Sequence, residues 1–266
     1  MTAAQVPPGE HDVLPPSATY ALRLGDDALI ASHRLAECIT HAPQLEEDVA
    51  LANISLDLLG QARTLLSYAG ALEGTGRDED ALAYRRTERD FVNCQLVERP
   101  NTDFAHTVVR QLMFAAYQYE LYRRLAGTTE ETLAALAAKA VKEVAYHRDH
   151  ATQWALRLGA GTDESHQRMA TATYALWPYA DELFSSDRTE RDLAAAGVAV
   201  DTGELREPWR TYVGDVLEQA TLAVPEVPAA IGPGGSRGRQ GVHTECFGYL
   251  LAEMQHVHRA HPGAAW

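Results

Sequence analysis

The sequence has little cysteine, and its three cysteines, Cys38, Cys94 and Cys246, lie far apart. No Cys-x-x-Cys pair occurs, which argues against a disulfide framework, a zinc ribbon and an iron–sulfur cluster. The chain also lacks a run of about 18 apolar residues, so we expect no membrane-spanning helix. Its first residues lack the basic start and apolar middle of a secretory signal peptide. Together these absences favour a cytoplasmic protein.

Lysine is almost absent, since the chain has two lysines, Lys139 and Lys142, against 21 arginines. Acidic residues outnumber basic ones by 37 to 23, which gives a formal net charge of −14. A chain of this charge without a segregated basic patch is repelled by phosphate backbones, so we do not expect nucleic acid as a partner. The preference for arginine suits bidentate ion pairs between packed elements. A biased genome composition would produce it equally well.

Helical periodicity predicts an all-α fold after a short polar start. Residues 1–17 contain four prolines and are expected to form a disordered N-terminal arm, followed by a single ferritin-like helical domain over 18–266. Helices of roughly 20–30 residues, well above the usual length of about 11–12, can bury one shared core as a bundle. Four such helices are predicted, at about 18–39, 46–68, 103–125 and 129–158.

Local signals indicate where the long helices begin and end. Ser17 is expected to cap the first helix, and Thr128 with Glu131 forms a capping-box pattern before the fourth. Gly127 is expected to end the third helix in the left-handed backbone conformation. The longest connection joins the second and third long helices and is expected to contain a charged helix at about 79–91. Such a long crossover is typical of ferritin-like bundles.

Additional helices are predicted in the C-terminal part of the chain. They cover about 163–184, with a kink at Pro178, and about 188–196, 208–223 and 243–259. The single strand candidate is 198–200. A helical-repeat solenoid is the rival architecture, but no period of roughly 30–45 residues is visible. The predicted fold is therefore a ferritin-like four-helix bundle with additional C-terminal helices.

Ferritin-like bundles often hold two irons, which are bound by one Glu from each of two helices and a Glu-x-x-His pair from each of the other two. Residues three apart share a helix face, so a carboxylate and an imidazole at this spacing reach one metal. Glu253 and His256 form one such pair, in the last predicted helix. Two Asp-x-x-His pairs fall in first helical turns, Asp103 with His106 and Asp163 with His166. All three pairs are weak metal candidates.

The long helices themselves contain no complete ligand pair. The second helix has Leu58 and Gln61 where a Glu-x-x-His pair would stand, and the fourth has Val144 three residues before His147. A single imidazole without several carboxylates does not hold two irons. We therefore expect no catalytic, cofactor-binding or metal-binding residues in this chain.

The segment 225–241 is rich in proline and glycine and carries Arg237 and Arg239. It lacks the Gly-Lys-Ser/Thr ending of a P-loop. We expect a mobile connection there. The alternative is a basic loop that docks on a partner or an anionic ligand.

Four long blocks carry a family resemblance, and they read TYALRLGDDALIASHRLAE (19–37), HAPQLEEDVALANISLDLLGQAR (41–63), KAVKEVAYH (139–147) and HTECFGYLLAEMQHVHRAHPGAAW (243–266). They resemble the C subunits (PaaC-type) of the bacterial phenylacetyl-CoA oxygenases, which are the ring 1,2-epoxidases of aerobic phenylacetate breakdown. The likeness extends from about residue 19 to the end and is specific, because long ungapped stretches match rather than one short motif.

The resemblance implies a ferritin-like fold within a multicomponent, O2-dependent enzyme. In this family the catalytic A subunit carries the di-iron centre and the acyl-CoA site. The C subunit has lost the metal ligands, pairs with the A subunit and maintains its structure, in an assembly with two or more copies of each. Other small subunits and an NADPH-dependent reductase complete the system. Leu58, Gln61, Val144 and His147 are then vestigial ligand positions.

Three functions are consistent with these observations. The first is a non-catalytic structural subunit without a cofactor of its own, and this is the favoured hypothesis. The second is an active di-iron monooxygenase with an atypical ligand set. Its ligands would be Glu143, His147 and acids such as Asp26, Asp27 or Glu37. The third is a module that binds the CoA ester through Arg237 and Arg239.

Overall fold

The structure is a computed structural model that describes residues 14–264, and this part of the chain is helical without a strand. Ten α-helices occur there: α1 (Pro16–Ala36), α2 (Leu45–Glu73), α3 (Glu79–Tyr84), α4 (Gln95–Glu98), α5 (Phe104–Leu125), α6 (Glu131–Gly159), α7 (Asp163–Ala180), α8 (Arg188–Ala195), α9 (Arg206–Gln219) and α10 (Glu245–Ala260). Short 3₁₀ turns lie at Glu88–Asp90, Asp181–Phe184, Thr202–Leu205, Pro233–Gly235 and Gly238–Gln240. Within the described residues, no helix is both long enough and apolar enough to span a bilayer.

The four long helices form the bundle. Helix α1 packs along α2, α5 packs along α6, and α2 contacts α6 across the centre. Helices α7 and α9 cover α5 and α6, while α10 lies against α1, α3 and α4. One continuous cluster of buried apolar side chains extends from α1 to α10. The predicted ferritin-like bundle with additional C-terminal helices is thereby confirmed.

Helix α5 shows how local sequence sets an element's limits. Asp103 is its N-cap, and the carboxylate accepts a hydrogen bond from the backbone N–H of His106 at 2.9 Å. Arg123 and Arg124 occupy the last turn, where a cation complements the helix dipole. The structure confirms the predicted limits of this helix.

The start of α1 differs from the prediction. Residues 1–13 of the predicted arm lie outside the described residues, whereas Pro16 and Ser17 form the first turn of α1. Ser17 is therefore not the cap, which is Pro15. Proline suits the first helical position because its missing N–H would have no partner there. At the other end, α1 stops at Ala36 instead of continuing to about residue 39.

The predicted turn between α5 and α6 is also wrong in detail. Gly127 does not adopt the left-handed conformation, and Glu130 is the N-cap of α6, without a side-chain hydrogen bond. The Thr128 hydroxyl lies 2.7 Å from the carbonyl oxygens of Gly197 and Val198, within donating distance of both. A tertiary contact has therefore displaced the local capping box. The strand candidate 198–200 forms a bend followed by irregular backbone.

The crossover segment departs most from its prediction. A helix was expected over about 79–91, but α3 ends at Tyr84. Beyond it, the Arg86 side chain enters the core and the Val92 N–H donates to Asp26 of α1. These contacts need an irregular backbone. In a continuous helix the backbone N–H groups would bond to carbonyl groups of the same helix, and the Asp26 carboxylate would lose this partner.

Two helical glycines differ in the space beside them. A methyl group at Gly214 in α9 meets nothing within 4 Å, whereas at Gly159 in α6 it would lie 2.5 Å from the carbonyl oxygen of Ala220. We expect Gly214→Ala to raise the free energy of unfolding by about 0.5–1 kcal/mol, because alanine loses less backbone entropy in a helix. Gly159→Ala is the matched control and should destabilise the protein. Urea denaturation of both variants measures this, and a stabilised Gly159→Ala would contradict the close packing of α6 on residue 220.

Candidate functional site

The predicted ligand positions lie in the bundle interior. Leu58 and Gln61 of α2 have exposed fractions of 0% and 2%, and Val144 and His147 of α6 are both fully buried. Each pair is three residues apart, so both members share the inward face of their helix. The inward direction of all four residues agrees with the spacing argument. Their history as ligand positions stays a prediction.

Amide groups make the central polar contacts. The Gln61 side-chain Nε2 donates to Glu143 Oε2 at 3.1 Å, and Gln118 Nε2 of α5 lies 3.4 Å from Gln61 Oε1. Gln118 is 2% exposed and was missed by the sequence search, because a glutamine in a helix carries no metal-ligand signal. Glu143 lies nearer the rim, where Lys139 Nζ is 3.2 Å from its Oε1.

His147 is held as a neutral imidazole. Its Nε2 lies 3.1 Å from Asp57 Oδ2 of α2, and its buried Nδ1 has no hydrogen-bond partner. Burial lowers the pKa of His147 below its ordinary value, although the hydrogen bond to Asp57 acts in the opposite direction. Because Asp57 accepts only, the neutral ring carries its proton on Nε2.

The side chains at the bundle centre do not fit a di-iron centre. Such a centre takes four carboxylates and two imidazoles from four helices. Here the centre offers two amides, two aliphatic side chains and one imidazole, while Asp57 and Glu143 are engaged at the rim. Among residues 14–264, no group of three or more His, Cys, Asp or Glu side chains is arranged to hold a metal ion.

The other sequence-level pairs are not assembled into a site either. Glu253 and His256 of α10 are both exposed. His106 Nδ1 lies 2.7 Å from Asp103 Oδ1, an ion-pair geometry within the first turn of α5. His166 Nδ1 lies 2.8 Å from the carbonyl oxygen of Gly159, and Asp163 is exposed. Capping and surface contacts account for these pairs.

The acids of the active-oxygenase hypothesis are bound to arginines. Asp26 pairs with Arg86, and Glu37 pairs with Arg34 at 2.7 Å. Asp27 accepts two hydrogen bonds from Arg239, Nη1 to Oδ1 at 2.9 Å and Nη2 to Oδ2 at 2.6 Å. None of these carboxylates contacts Glu143 or His147, so the structure does not bring this ligand set together.

The contacts of Arg239 differ from the prediction that the segment 225–241 is a mobile connection. Its guanidinium is 10% exposed and donates to the Val92 carbonyl at 2.9 Å as well as to Asp27. Arg237 Nη1 lies 2.8 Å from Asp181 Oδ2. The segment is therefore packed into the protein at its C-terminal end, and the arginines proposed to bind a CoA ester already have intramolecular partners.

Glu182 completes this buried network and was not found from the sequence. Its Oε1 accepts from the Arg239 backbone N–H at 2.9 Å, and its Oε2 accepts from the Gln95 N–H at 2.8 Å. Burial raises the pKa of both Glu182 and Asp27, and the nearby Arg239 charge opposes that shift. No local pattern reveals these contacts, because the partners are 57 to 212 residues apart.

Comparison with known proteins places this geometry in a family context. The family model described as phenylacetic acid catabolic protein matches residues 9–266. The chain is similar to the C subunit of the 1,2-phenylacetyl-CoA epoxidase of Escherichia coli (strain K12). The two are 48% identical over 247 residues, which cover 93% of this chain and 98% of that protein.

We expect Arg239→Met to lower the free energy of unfolding by about 3–5 kcal/mol, because Asp27 would remain as an uncompensated buried charge. The matched control is Arg188→Met, which breaks an ion pair with Asp192 between side chains that are 90% and 72% exposed. That change should cost at most about 1 kcal/mol. Urea denaturation of the two variants compares them. Equal losses would show that the Asp27–Arg239 contact is not a stabilising element.

The lowered pKa of His147 predicts that the free energy of unfolding depends on pH. A histidine with a lowered folded pKa contributes its stability in full above the unfolded pKa of about 6.5 and loses it as the pH falls towards the folded value. The stability advantage of wild type over His147→Gln should therefore shrink from about pH 7 to pH 5. Urea denaturation across this range measures it. Histidine NMR, assigned with the same variant, should show His147 titrating below about 6.5, and titration above that value would contradict the neutral ring.

Proposed function

The chain belongs to the phenylacetic acid catabolic protein family, and from this premise we propose that it is a non-catalytic subunit of a multicomponent 1,2-phenylacetyl-CoA epoxidase. In this proposal it pairs with a di-iron catalytic A subunit and stabilises it, in a hetero-oligomer with two or more copies of each. It contains no cofactor of its own. Other small subunits and an NADPH-dependent reductase act through the catalytic subunit, and the assembled complex is the enzyme.

The chemistry of the bundle centre carries the proposal. Leu58, Gln61, Val144 and Gln118 contribute no anionic oxygen, and they fill the interior between α2, α5 and α6. Two irons bring several positive charges, which stay buried only where carboxylates neutralise them. The available carboxylates lie at the rim and already accept hydrogen bonds.

The two rival functions have weaker support. An active oxygenase needs Asp26, Asp27 or Glu37 at the metal, and each of these acids is paired with an arginine. A CoA-binding module needs free guanidinium groups, whereas Arg237 and Arg239 contact Asp181 and Asp27. A ligand could bind Arg239 only if its ion pair with Asp27 broke, and the buried Asp27 carboxylate would then lack its partner.

Metal uptake tests the proposal on the isolated chain. After incubation with Co²⁺ and desalting, we expect the wild-type protein to retain far less than one metal per chain and to show no visible ligand-field bands. The triple variant Leu58→Glu, Gln61→His and Val144→Glu restores two Glu-x-x-His pairs with His147 and should gain cobalt binding. The matched control adds His147→Ala and should bind more weakly.

The wild-type measurement decides the proposal even if the triple variant fails to fold, which circular dichroism would reveal. Stoichiometric metal in the wild-type chain, at about two per chain, would favour the active oxygenase instead. Native separation of the chain from a co-purified catalytic subunit, followed by metal counting on each, extends the test to the complex. We expect iron with the catalytic subunit alone.

A further inference from the structure

A fully buried polar contact connects the start of α10 to the crossover segment. His243 lies two residues before the helix, and the side chains of His243 and of Glu98 in α4 are both 0% exposed. The Nδ1 of His243 lies 2.7 Å from Glu98 Oε2, and its Nε2 lies 3.0 Å from the carbonyl oxygen of Phe91. Both ring nitrogens therefore face oxygen atoms.

The hydrogen-bond partners require a proton on each of these nitrogens. A carbonyl oxygen only accepts, so Nε2 donates to Phe91. Glu98 Oε2 also accepts from Asn93 Nδ2 at 2.9 Å, and Glu98 Oε1 accepts from the Thr244 N–H. Because both carboxylate oxygens already act as acceptors, Nδ1 donates as well. The neutral imidazole has a single N–H, so the doubly protonated cation is the form that supplies both donors.

The acidic groups around the ring also favour the cation. Burial lowers the pKa of His243. The Glu98 carboxylate, the Phe91 carbonyl and the charge of Glu88 act in the opposite direction, and together they raise the pKa above its ordinary value. Glu88 belongs to the 3₁₀ turn that precedes residue 91. On α10 itself, Glu245 is exposed to solvent.

Two arginines lie in the same region, and both are paired with carboxylates. Arg34 of α1 reaches the first turn of α10 and forms an ion pair with Glu37. Arg86 lies over the ring of residue 91 and forms an ion pair with Asp26. Positive charge acts against a further proton on His243, but these carboxylates offset it.

Helix α10 is anchored by few buried side chains. Four of its 16 residues are buried, against 16 of the 22 residues of α5. The first of the four, Phe247, packs on His243 with ring centroids 4.2 Å apart. Near the other end, Gln255 Nε2 donates to two backbone carbonyls of the crossover, each at 3.0 Å. Elements with little buried surface open at a lower free energy than the global unfolding of the protein.

We propose that His243 is a proton-dependent clamp, which holds the start of α10 on α4 while the imidazole is cationic and releases it when the ring loses a proton. In the neutral ring one nitrogen lone pair would face an acceptor oxygen, and either Glu98 or the Phe91 carbonyl would lose a buried donor. The start of α10 would then open more often, while the bundle stays folded. The inference does not depend on the proposed function, since it concerns contacts within this chain alone.

Hydrogen exchange of the full-length chain tests the clamp. The backbone amides of 245–251 are compared between wild type and His243→Gln at pH values from about 6 to 8.5. A histidine with a raised folded pKa contributes its stability in full below the unfolded pKa of about 6.5, and this contribution is lost as the pH rises through the folded value. The excess protection of wild type over the variant should therefore shrink with rising pH. Comparison at each pH cancels the titration of groups that both chains contain, such as Cys246.

A titration of the wild-type chain makes the expected loss quantitative. Histidine NMR, assigned with the same variant, gives the folded pKa of His243. Each unit by which that pKa exceeds about 6.5 should reduce the excess protection about tenfold over the full transition. Glu98→Gln removes the charge beside the ring, so it should lower the pKa of His243 and shift the loss to lower pH.

The matched control is His256→Gln, the same substitution at an exposed position of α10. It should leave the protection of 245–251 unchanged at every pH. A wild-type His243 that titrates at or below about 6.5 would overturn the proposal, and so would an excess protection that is independent of pH. A pH-dependent loss of the same size throughout the bundle would show that His243 stabilises the whole fold and that the local clamp is wrong. If circular dichroism shows His243→Gln to be unfolded, the wild-type titration and the protection of 245–251 relative to α5 in the same chain decide the question.

Discussion

Two adjacent buried carboxylates on α1 determine how the rest of the chain surrounds the bundle. Asp26 and Asp27 are 0% and 2% exposed, and an uncompensated charge in such a place costs several kcal/mol. Arg86 from the crossover compensates the first, and Arg239 from the segment before α10 compensates the second. The backbone N–H of Cys94 also donates to Asp27 at 2.7 Å. The segments that connect the helices are thereby fixed to the bundle at defined points, and the irregular backbone after α3 is a consequence of satisfying these oxygens.

Two buried histidines show how partners set a charge state. His243 Nδ1 lies 2.7 Å from Glu98 Oε2, and its Nε2 lies 3.0 Å from the carbonyl oxygen of Phe91. Burial acts to lower the pKa of His243, but Glu98 and the carbonyl outweigh it and raise the pKa above the ordinary value. His147 has one hydrogen-bond acceptor, Asp57, and its Nδ1 has no partner. The effect of burial on its pKa therefore outweighs that of Asp57, and the neutral ring is favoured. Glu98 of α4 thus favours the charged form of the histidine that precedes α10, whereas burial favours the neutral form of the one in the bundle centre.

The sequence correctly predicted features that depend on neighbouring residues. Its predictions were wrong where a side chain contacts a group that is distant in the chain. Asp103 caps α5 because its carboxylate accepts from the His106 N–H of the first turn. The spacing of Val144 and His147 correctly placed both on the inward face of α6. Thr128 carries an equally good local signal, yet its hydroxyl is engaged by carbonyl groups near residue 197. Arg239 was interpreted as part of a mobile loop because its partner Asp27 is 212 residues away, and no periodicity reports such a contact.

The absence of carboxylates from the bundle centre has a consequence for how this chain is stabilised. Carboxylates that ligate iron repel one another when the metal leaves, so the stability of a di-iron bundle depends on its metal. In this chain the interior contains the aliphatic side chains of Leu58 and Val144 and two amides. The Gln61 and Gln118 amides form hydrogen bonds with each other, and Gln61 also donates to Glu143. Such an interior needs no cation to be stable.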